Sequence, residues 1–370
     1  NGIPKEKQTT GDVRIEFYAA IKTAEPFLPA GTVIAREQTY VHTFYKKEAT
    51  AQQPATSKEE GNLVAFSGPD FKATFDKQSG LLTSYLYKKH EYILNGQGPR
   101  PFFWRAPTDN DYGANLPVRL KAWKEASYQE PKAESFQVTP GSNATTIKVT
   151  YRFPQTDARW DITYKIYASG VIKVDNRFVA EGDQAPMIPR VGLRMQLPES
   201  FTDLTYYGRG PKENYRDRRT SQFIGEYAIP VKDMYEPYVR PQENNHRTDI
   251  YWCAFTDKTQ RGLLLIADRT FELNASNYPL ESMDSGDTID NGAPRTEKTH
   301  HRHLTDPLPE KMVDLFIDYR MMGVGGDDSW GATAHEPYLI RPGKENAIEY
   351  GFSLVPFDKK EDYKYLIRQY

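Results

Sequence analysis

Three features of the sequence predict an all-β protein. Aromatic residues are abundant, with 25 Tyr, 18 Phe and five Trp, and with Thr and Val beside them they favour a pleated, half-buried surface. The 26 Pro and 25 Gly are scattered along the chain and punctuate it into short segments. No stretch keeps the apolar period of an amphipathic helix over three turns or more.

The 370 residues suffice for one large domain or two ordinary ones, with a substantial core. Against 50 acidic residues stand 48 basic ones, and no long basic run occurs, which argues against a nucleic-acid partner. A mean hydropathy of −0.72, with no apolar run of about eighteen residues, excludes a membrane-spanning helix. The single cysteine, Cys253, allows neither an intramolecular disulfide nor a cysteine metal cage. The chain begins at Asn1, without an initiator Met or a signal peptide. It reads as a processed or excised piece whose compartment, cytoplasmic or periplasmic, is not legible.

Near the start, Val13, Ile15 and Phe17 alternate with Arg14 and Glu16, the pattern of a half-buried strand. Residues 32–44 read as its partner, after breaks at Pro26, Pro29 and Gly31. Two or three strands do not make a stable domain, so this piece finishes a fold begun elsewhere or leans on the remainder of the chain. Residues 46–61, polar and rich in Ala, Gln and Thr, read as the boundary. Residues 62–67, 71–76 and 81–88 then form a meander, with turns at 68–70 and 77–80. Between Ser135 and Gln196 several strands alternate cleanly at spacings of about ten residues, as in a sandwich. Further strands are expected at 248–255 and 262–268.

Three dense clusters stand out. Residues 97–123 contain PFFWRAPTDNDYG and read as a long ordered loop, a length that usually carries function. Asp109 and Asp111 there are spaced like the start of a calcium loop, but the twelve-residue pattern ending in Glu is missing. Residues 206–218, YYGRGPKENYRDR, place a turn at 208–211 beside Glu213, Arg216, Asp217 and Arg218, which suit a buried ion network or ligand hydroxyls. Residues 322–331, MGVGGDDSWG, bring Gly323, Gly325 and Gly326 before Asp327, Asp328 and Trp330. Such a loop is either a structural turn or a sugar contact, where carboxylates accept hydroxyl hydrogen bonds and an indole stacks on a pyranose. The run EKTHHRH (297–303) would place His301 and His303 on one side of a strand at metal-capable spacing, without an evident third ligand. Two sequons, at Asn143 and Asn274, occur. No nucleophile elbow, Walker loop or dinucleotide fingerprint is present.

Taken together, PFFWRAPTDNDYG (101–113), YYGRGPKENYRDR (206–218) and MGVGGDDSWG (322–331) resemble the C-terminal region of β-galactosidases of glycoside hydrolase family two. The resemblance runs from about Gly11 to the C-terminus and is specific in motif length, order and spacing. It implies that residues 1–58 are the tail of an immunoglobulin-like linker domain. It implies that residues 62–370 are a large antiparallel β-supersandwich of the galactose mutarotase type. It places the catalytic glutamates, and the Mg ligands (Na or Ca being the alternatives), in a central barrel outside this chain. The chain itself is then expected to hold no catalytic residue, metal or cofactor. By the same likeness Trp330 stacks on the galactoside substrate, residues from Gly113 to about Lys121 form a mobile loop, and Asp327 and Asp328 support the arm carrying Trp330. Arg105, Asp109, Asn110 and Asp111 anchor the base of the mobile loop, in which Asn115, Pro117 and Val118 depart from the family's character. The implied partners are the galactoside, the rest of the parent chain and further copies of the parent in a homo-oligomer, with no nucleic acid and no membrane. A free-standing carbohydrate-binding module and an aldose epimerase are the competing readings. For an epimerase the candidate bases are His300, His301, His303 and His335.

Overall fold

A computed structural model describes residues 11–44, 52–181, 187–286, 303–328 and 331–369. Two compact units are separable: residues 1–50 together with 364–370, and residues 51–363. In the first, strands β1 (Gly11–Ala20) and β2 (Val33–Phe44) pair as an antiparallel hairpin. The expected alternation of burial along β1 is not seen: residues 11–15 are half-buried and 16–20 exposed. Phe17, Tyr18, Phe27 and Ile34 are open to solvent. Two strands have no second layer of their own to bury one face, so alternation in sequence alone does not produce it.

The second unit holds two antiparallel sheets. Strands β3 (Thr56–Glu60), β4 (Leu63–Ser67), β5 (Phe71–Asp76), β6 (Leu82–Tyr87) and β7 (His90–Glu91) succeed one another in a five-stranded meander. All five residues of β3 are exposed. That is why an edge strand of Thr, Ser, Lys and Glu reads as linker in the sequence. The larger sheet has twelve strands: β8 (Arg100–Phe102), β9 (Ala133–Thr139), β10 (Thr145–Phe153), β11 (Ala158–Ile166), β12 (Ile172–Ala180), β13 (Arg190–Pro198), β14 (Asp203–Gly210), β15 (Phe223–Pro230), β16 (Arg247–Thr256), β17 (Gly262–Ser276), β18 (Met312–Met321) and β19 (Ile348–Phe357). Its main path runs β15-β14-β16-β17-β19-β12-β11-β10-β9, while β18 joins β17 to β13, which also pairs β8.

Three sequence expectations change here. The loop expected across residues 97–123 contains helices: α1 (Asp109–Gly113), α2 (Leu116–Arg119) and α3 (Lys121–Tyr128). At four to eight residues they are too short for a helical period to be seen. Strand β17 continues to Ser276 instead of stopping near 268, because a register shift against β16 absorbs the polar residues Asp268 and Arg269. The turn expected at 208–211 begins only after β14 has run to Gly210.

Apolar side chains from both sheets fill the space between them. Phe75 of β5 meets Tyr164 of β11 edge-on, with ring centroids 5.0 Å apart, and the Tyr85 hydroxyl donates to the Gly170 carbonyl at 2.5 Å. A second aromatic group gathers Phe103 with Trp123, Phe153, Trp160 and Phe178 at 4.9–5.5 Å. Offset and edge-on rings of this kind add about 0.5–1.5 kcal/mol per pair beyond area burial. Trp123 thus pins α3, and with it the residues before α3, to the large sheet.

Candidate functional site

Strand β18 ends at Met321, and the Gly-rich stretch leaves it into a junction where all three sequence clusters meet. Arg105 is 2% exposed. Its Nε and one Nη donate to the two carboxylate oxygens of Asp111 at 2.9 and 2.7 Å. The same guanidinium donates to the carbonyls of Met322 (2.8 Å) and Gly323 (3.1 Å). A planar, five-donor group suits this task, because it can hold a carboxylate on one edge and two backbone carbonyls on another. The Asn110 amide donates to the Val324 carbonyl at 3.3 Å. From the second cluster, Asp217 accepts from the backbone amides of Val324 (3.1 Å) and Gly325 (2.9 Å). First and second clusters therefore grip opposite polar edges of the third.

Helix α1 is made by a capping box: Thr108 accepts from the Asp111 amide at 3.1 Å, and the Asp111 carboxylate accepts from the Thr108 amide at 3.0 Å. Asp109 and Asp111 lie in its first turn, where negative charge suits the helix dipole. Asp111 thus bonds both Arg105 and Thr108. Asp109 is 62% exposed on its side chain and faces Arg240 at 3.7 Å. Asn115 sits in the left-handed region, φ 55°, between α1 and α2, a conformation Asn tolerates better than most residues. The segment that the resemblance assigns to a mobile loop, Gly113 to Lys121, is helical through α2, with Leu116 and Leu120 buried in the core.

Trp330 lies outside the described residues, as do His300 and His301. On either side of Trp330 the arm is braced. The Asp328 carboxylate accepts from the Ala332 amide at 3.0 Å, and Asp327 meets the His335 ring at 2.5 Å. That contact raises the pKa of His335, first through the hydrogen bond and then through the charge of Asp327. Gly331 has φ +110°, and a Cβ there would come within 2.3 Å of the Gly113 carbonyl carbon. Only a glycine lets the arm lie this close to the end of α1. His303 is exposed, and its backbone amide donates to Asp306.

Behind the junction lies a buried ionic network that the sequence does not announce. His246 is fully buried, with Nδ1 2.6 Å from the Asn274 oxygen and Nε2 3.0 Å from Glu272. Asn274 in turn donates to Glu243 (2.8 Å) and accepts from Arg190 (2.9 Å). Buried at 4% exposure, Asn274 is no glycosylation acceptor. Glu272 also accepts from Arg216 and from the Met321 amide at the base of the arm; burial opposes its charged form, yet its hydrogen bond to His246 and the nearby Arg216 charge leave its pKa lowered. A further buried acid, Asp318, lies 3.2 Å from Arg190, yet neither carboxylate oxygen makes a hydrogen bond. Burial raises its pKa to about 7, with Arg190 only partly opposing. The four residues Glu213, Arg216, Asp217 and Arg218 do not form one mutual network. Glu213 pairs with Arg218 at 2.7 Å, while Arg216 and Asp217 reach Glu272 and the arm. The Glu243-Asn244-Asn245-His246-Arg247 run is densely polar in the sequence, but only the fold shows that every member is buried. Among the described residues no group of three His, Cys, Asp or Glu is placed to hold a metal ion.

This geometry defines a class: a large antiparallel β domain whose polar network serves to hold a Gly-rich arm, with no exposed acid–base pair in that network. A family model described as beta galactosidase small chain matches residues 67–354, and the chain belongs to that family. The beta-galactosidase of Priestia megaterium is 33% identical over 78% of this chain and 26% of its own length. That of Lactobacillus delbrueckii subsp. bulgaricus is 30% identical over 91% of this chain and 31% of its own length. The chain therefore spans about a quarter to a third of these relatives. Among solved structures, galactose 1-epimerase from Lactobacillus acidophilus covers 84% of this chain at 6% identity with a TM-score of 0.44, a likeness too slight to build on.

Proposed function

We propose that this chain is the non-catalytic C-terminal portion of a β-galactosidase of glycoside hydrolase family two. The parent hydrolyses terminal β-galactosides such as lactose with retention, through a covalent glycosyl-enzyme formed on glutamates elsewhere in the chain. Any Mg, Na or Ca in that site is held by residues outside this segment. In this reading residues 1–58 close an immunoglobulin-like domain, and the larger unit supplies one wall of the sugar site. Trp330 stacks on the substrate or on the sugar that accepts galactose.

The observation that carries the reading is the double brace of the arm: Arg105 on the carbonyls of Met322 and Gly323, Asp217 on the amides of Val324 and Gly325. An ordinary surface turn does not recruit a buried arginine and a half-buried carboxylate from two segments more than 100 residues away in sequence. Such rigid support suits a loop that must place one side chain. Of the candidate bases for an epimerase, His335 is exposed and held by Asp327 on the arm, His303 is exposed, and His300 and His301 lie outside the described residues. The His246–Glu272 pair has the right chemistry but is sealed, with both ring nitrogens engaged.

In the full-length parent, Trp330→Ala should raise KM and weaken acceptor use roughly fivefold to a hundredfold, by analogy with one base stacked on an aromatic ring. An unchanged KM would remove Trp330 from the site. The segment alone should not hydrolyse nitrophenyl-galactoside. Turnover abolished by changing one of its own carboxylates would overturn the reading.

A further inference from the structure

On the solvent side of the twelve-stranded sheet lies a groove of about 1140 Å³. Its floor is ordered by strand register into two polar rows. Across β9, β10, β11, β12 and β19 the first row reads Ser135, Thr150, Asp161, Arg177 and Glu349. The second reads Gln137, Lys148, Thr163, Asp175 and Gly351. Hydroxyls, amides and carboxylates thus recur every strand, about 4.8 Å apart. Most charges in these rows are satisfied within the protein. Asp161 is held by Arg159 and Thr150, Glu349 by Arg177, and Asp175 by Lys165 and Lys173.

The end formed by β17 and β18 differs. Arg269 and Arg320 line the groove, and neither has a carboxylate within ion-pair distance among the described residues. The Arg320 guanidinium lies 5.3 Å over the Tyr319 ring. Its Nε is buried and has no hydrogen-bond acceptor. A desolvated guanidinium N–H left unpaired is costly, and an incoming anion would relieve it. Arg216 lines the same end, already bonded through Nε to Glu272.

We propose that this groove binds an anionic saccharide, with Arg320 and Arg269 taking a sugar carboxylate and the polar rows taking ring hydroxyls. The volume is generous for a single sugar, since drug-sized ligand pockets run about 300–1,000 Å³, so a short oligosaccharide fits. A planar guanidinium pairs with a carboxylate through two parallel hydrogen bonds. The lining acids Asp161, Asp175, Asp268 and Glu349 would repel a polyanion such as nucleic acid. They tolerate a short saccharide whose one or two carboxylates lie within reach of Arg320, Arg269 and Arg216. This proposal does not depend on whether Trp330 contacts substrate.

The test is calorimetric titration of the 370-residue chain with digalacturonate, with the neutral galactose disaccharide and with inorganic sulfate. Digalacturonate should bind saturably, and the neutral disaccharide about tenfold or more weaker, the value of a charge-assisted pair. Arg320→Gln and Arg269→Gln should each remove that preference without changing the thermal midpoint, and Arg320→Lys should restore part of it. Equal binding of the two disaccharides, or digalacturonate binding that survives both Gln variants, overturns the proposal. Sulfate binding as tightly as digalacturonate overturns it too, since the groove would then be a simple ion site.

Discussion

Replacing Arg105 by Ala removes four hydrogen bonds at once: two to Asp111 and two to the carbonyls of Met322 and Gly323. Asp111, 5% exposed, would keep the Thr108 amide and lose its countercharge. Deleting one partner of a buried ion pair costs about 3–5 kcal/mol, most of it from the charge left behind. In a unit of this size each kcal/mol shifts the melting temperature by about 2 °C, so a fall of roughly 6–10 °C is expected. A double-mutant cycle with Asp111→Ala isolates the pair. Once Asp111 is gone, Arg105→Ala should cost less by on the order of 1–3 kcal/mol. Hydrogen exchange at the Val324 and Gly325 amides should quicken in Arg105→Ala, because one brace on their segment has been cut. A total cost below about 1 kcal/mol, strict additivity in the cycle, or unchanged exchange on the arm would refute the assignment of Arg105 as its brace.

The same geometry sets three further outcomes. Gly323→Ala should destabilise the arm, since a Cβ there would lie 2.4 Å from an Asp217 carboxylate oxygen; faster proteolysis within 322–328 checks it. Asp318 has a folded pKa near 7, above the unfolded value of about 3.9, so the folded state holds the proton more tightly. Its contribution to stability therefore falls as pH rises from about 4 to about 7. Asp318→Asn, which mimics the protonated acid, should flatten that slope in urea melts and gain most against the parent above pH 7. His335 has a pKa raised above 6.5 by Asp327. The stabilisation from this exposed pair is full below that value and is lost as pH rises through the folded pKa. Exchange of the Ala332 amide should accordingly quicken with pH more in the parent than in His335→Gln, after correction for intrinsic rates.

Much of the fold is legible in the sequence because β structure writes a two-residue period wherever one face is buried. Strands β5, β10, β11 and β12 carry that period: β5 falls on residues 71–76 as expected, and the other three lie in the stretch 135–196 read as alternating strands. The misses share a cause. Strand β3 is exposed throughout and shows only polarity. Helices α1 and α2 are shorter than the period that would reveal them. The bulge in β17 hides a strand behind Asp268 and Arg269.

The functional region divides in the same way. From the sequence alone come the three clusters, their order, and the need for glycine where a backbone turns left-handed or comes very close, as at Gly325 and Gly331. That much is local chemistry, fixed by residue type. Only the tertiary structure decides what each charge is for. Asp111 goes to Arg105, Asp217 to the arm, and Glu272 to His246 and Arg216. Composition treats every carboxylate alike. A buried charge takes its meaning from the partner that the fold brings within about 3 Å, and that partner can lie anywhere in the chain.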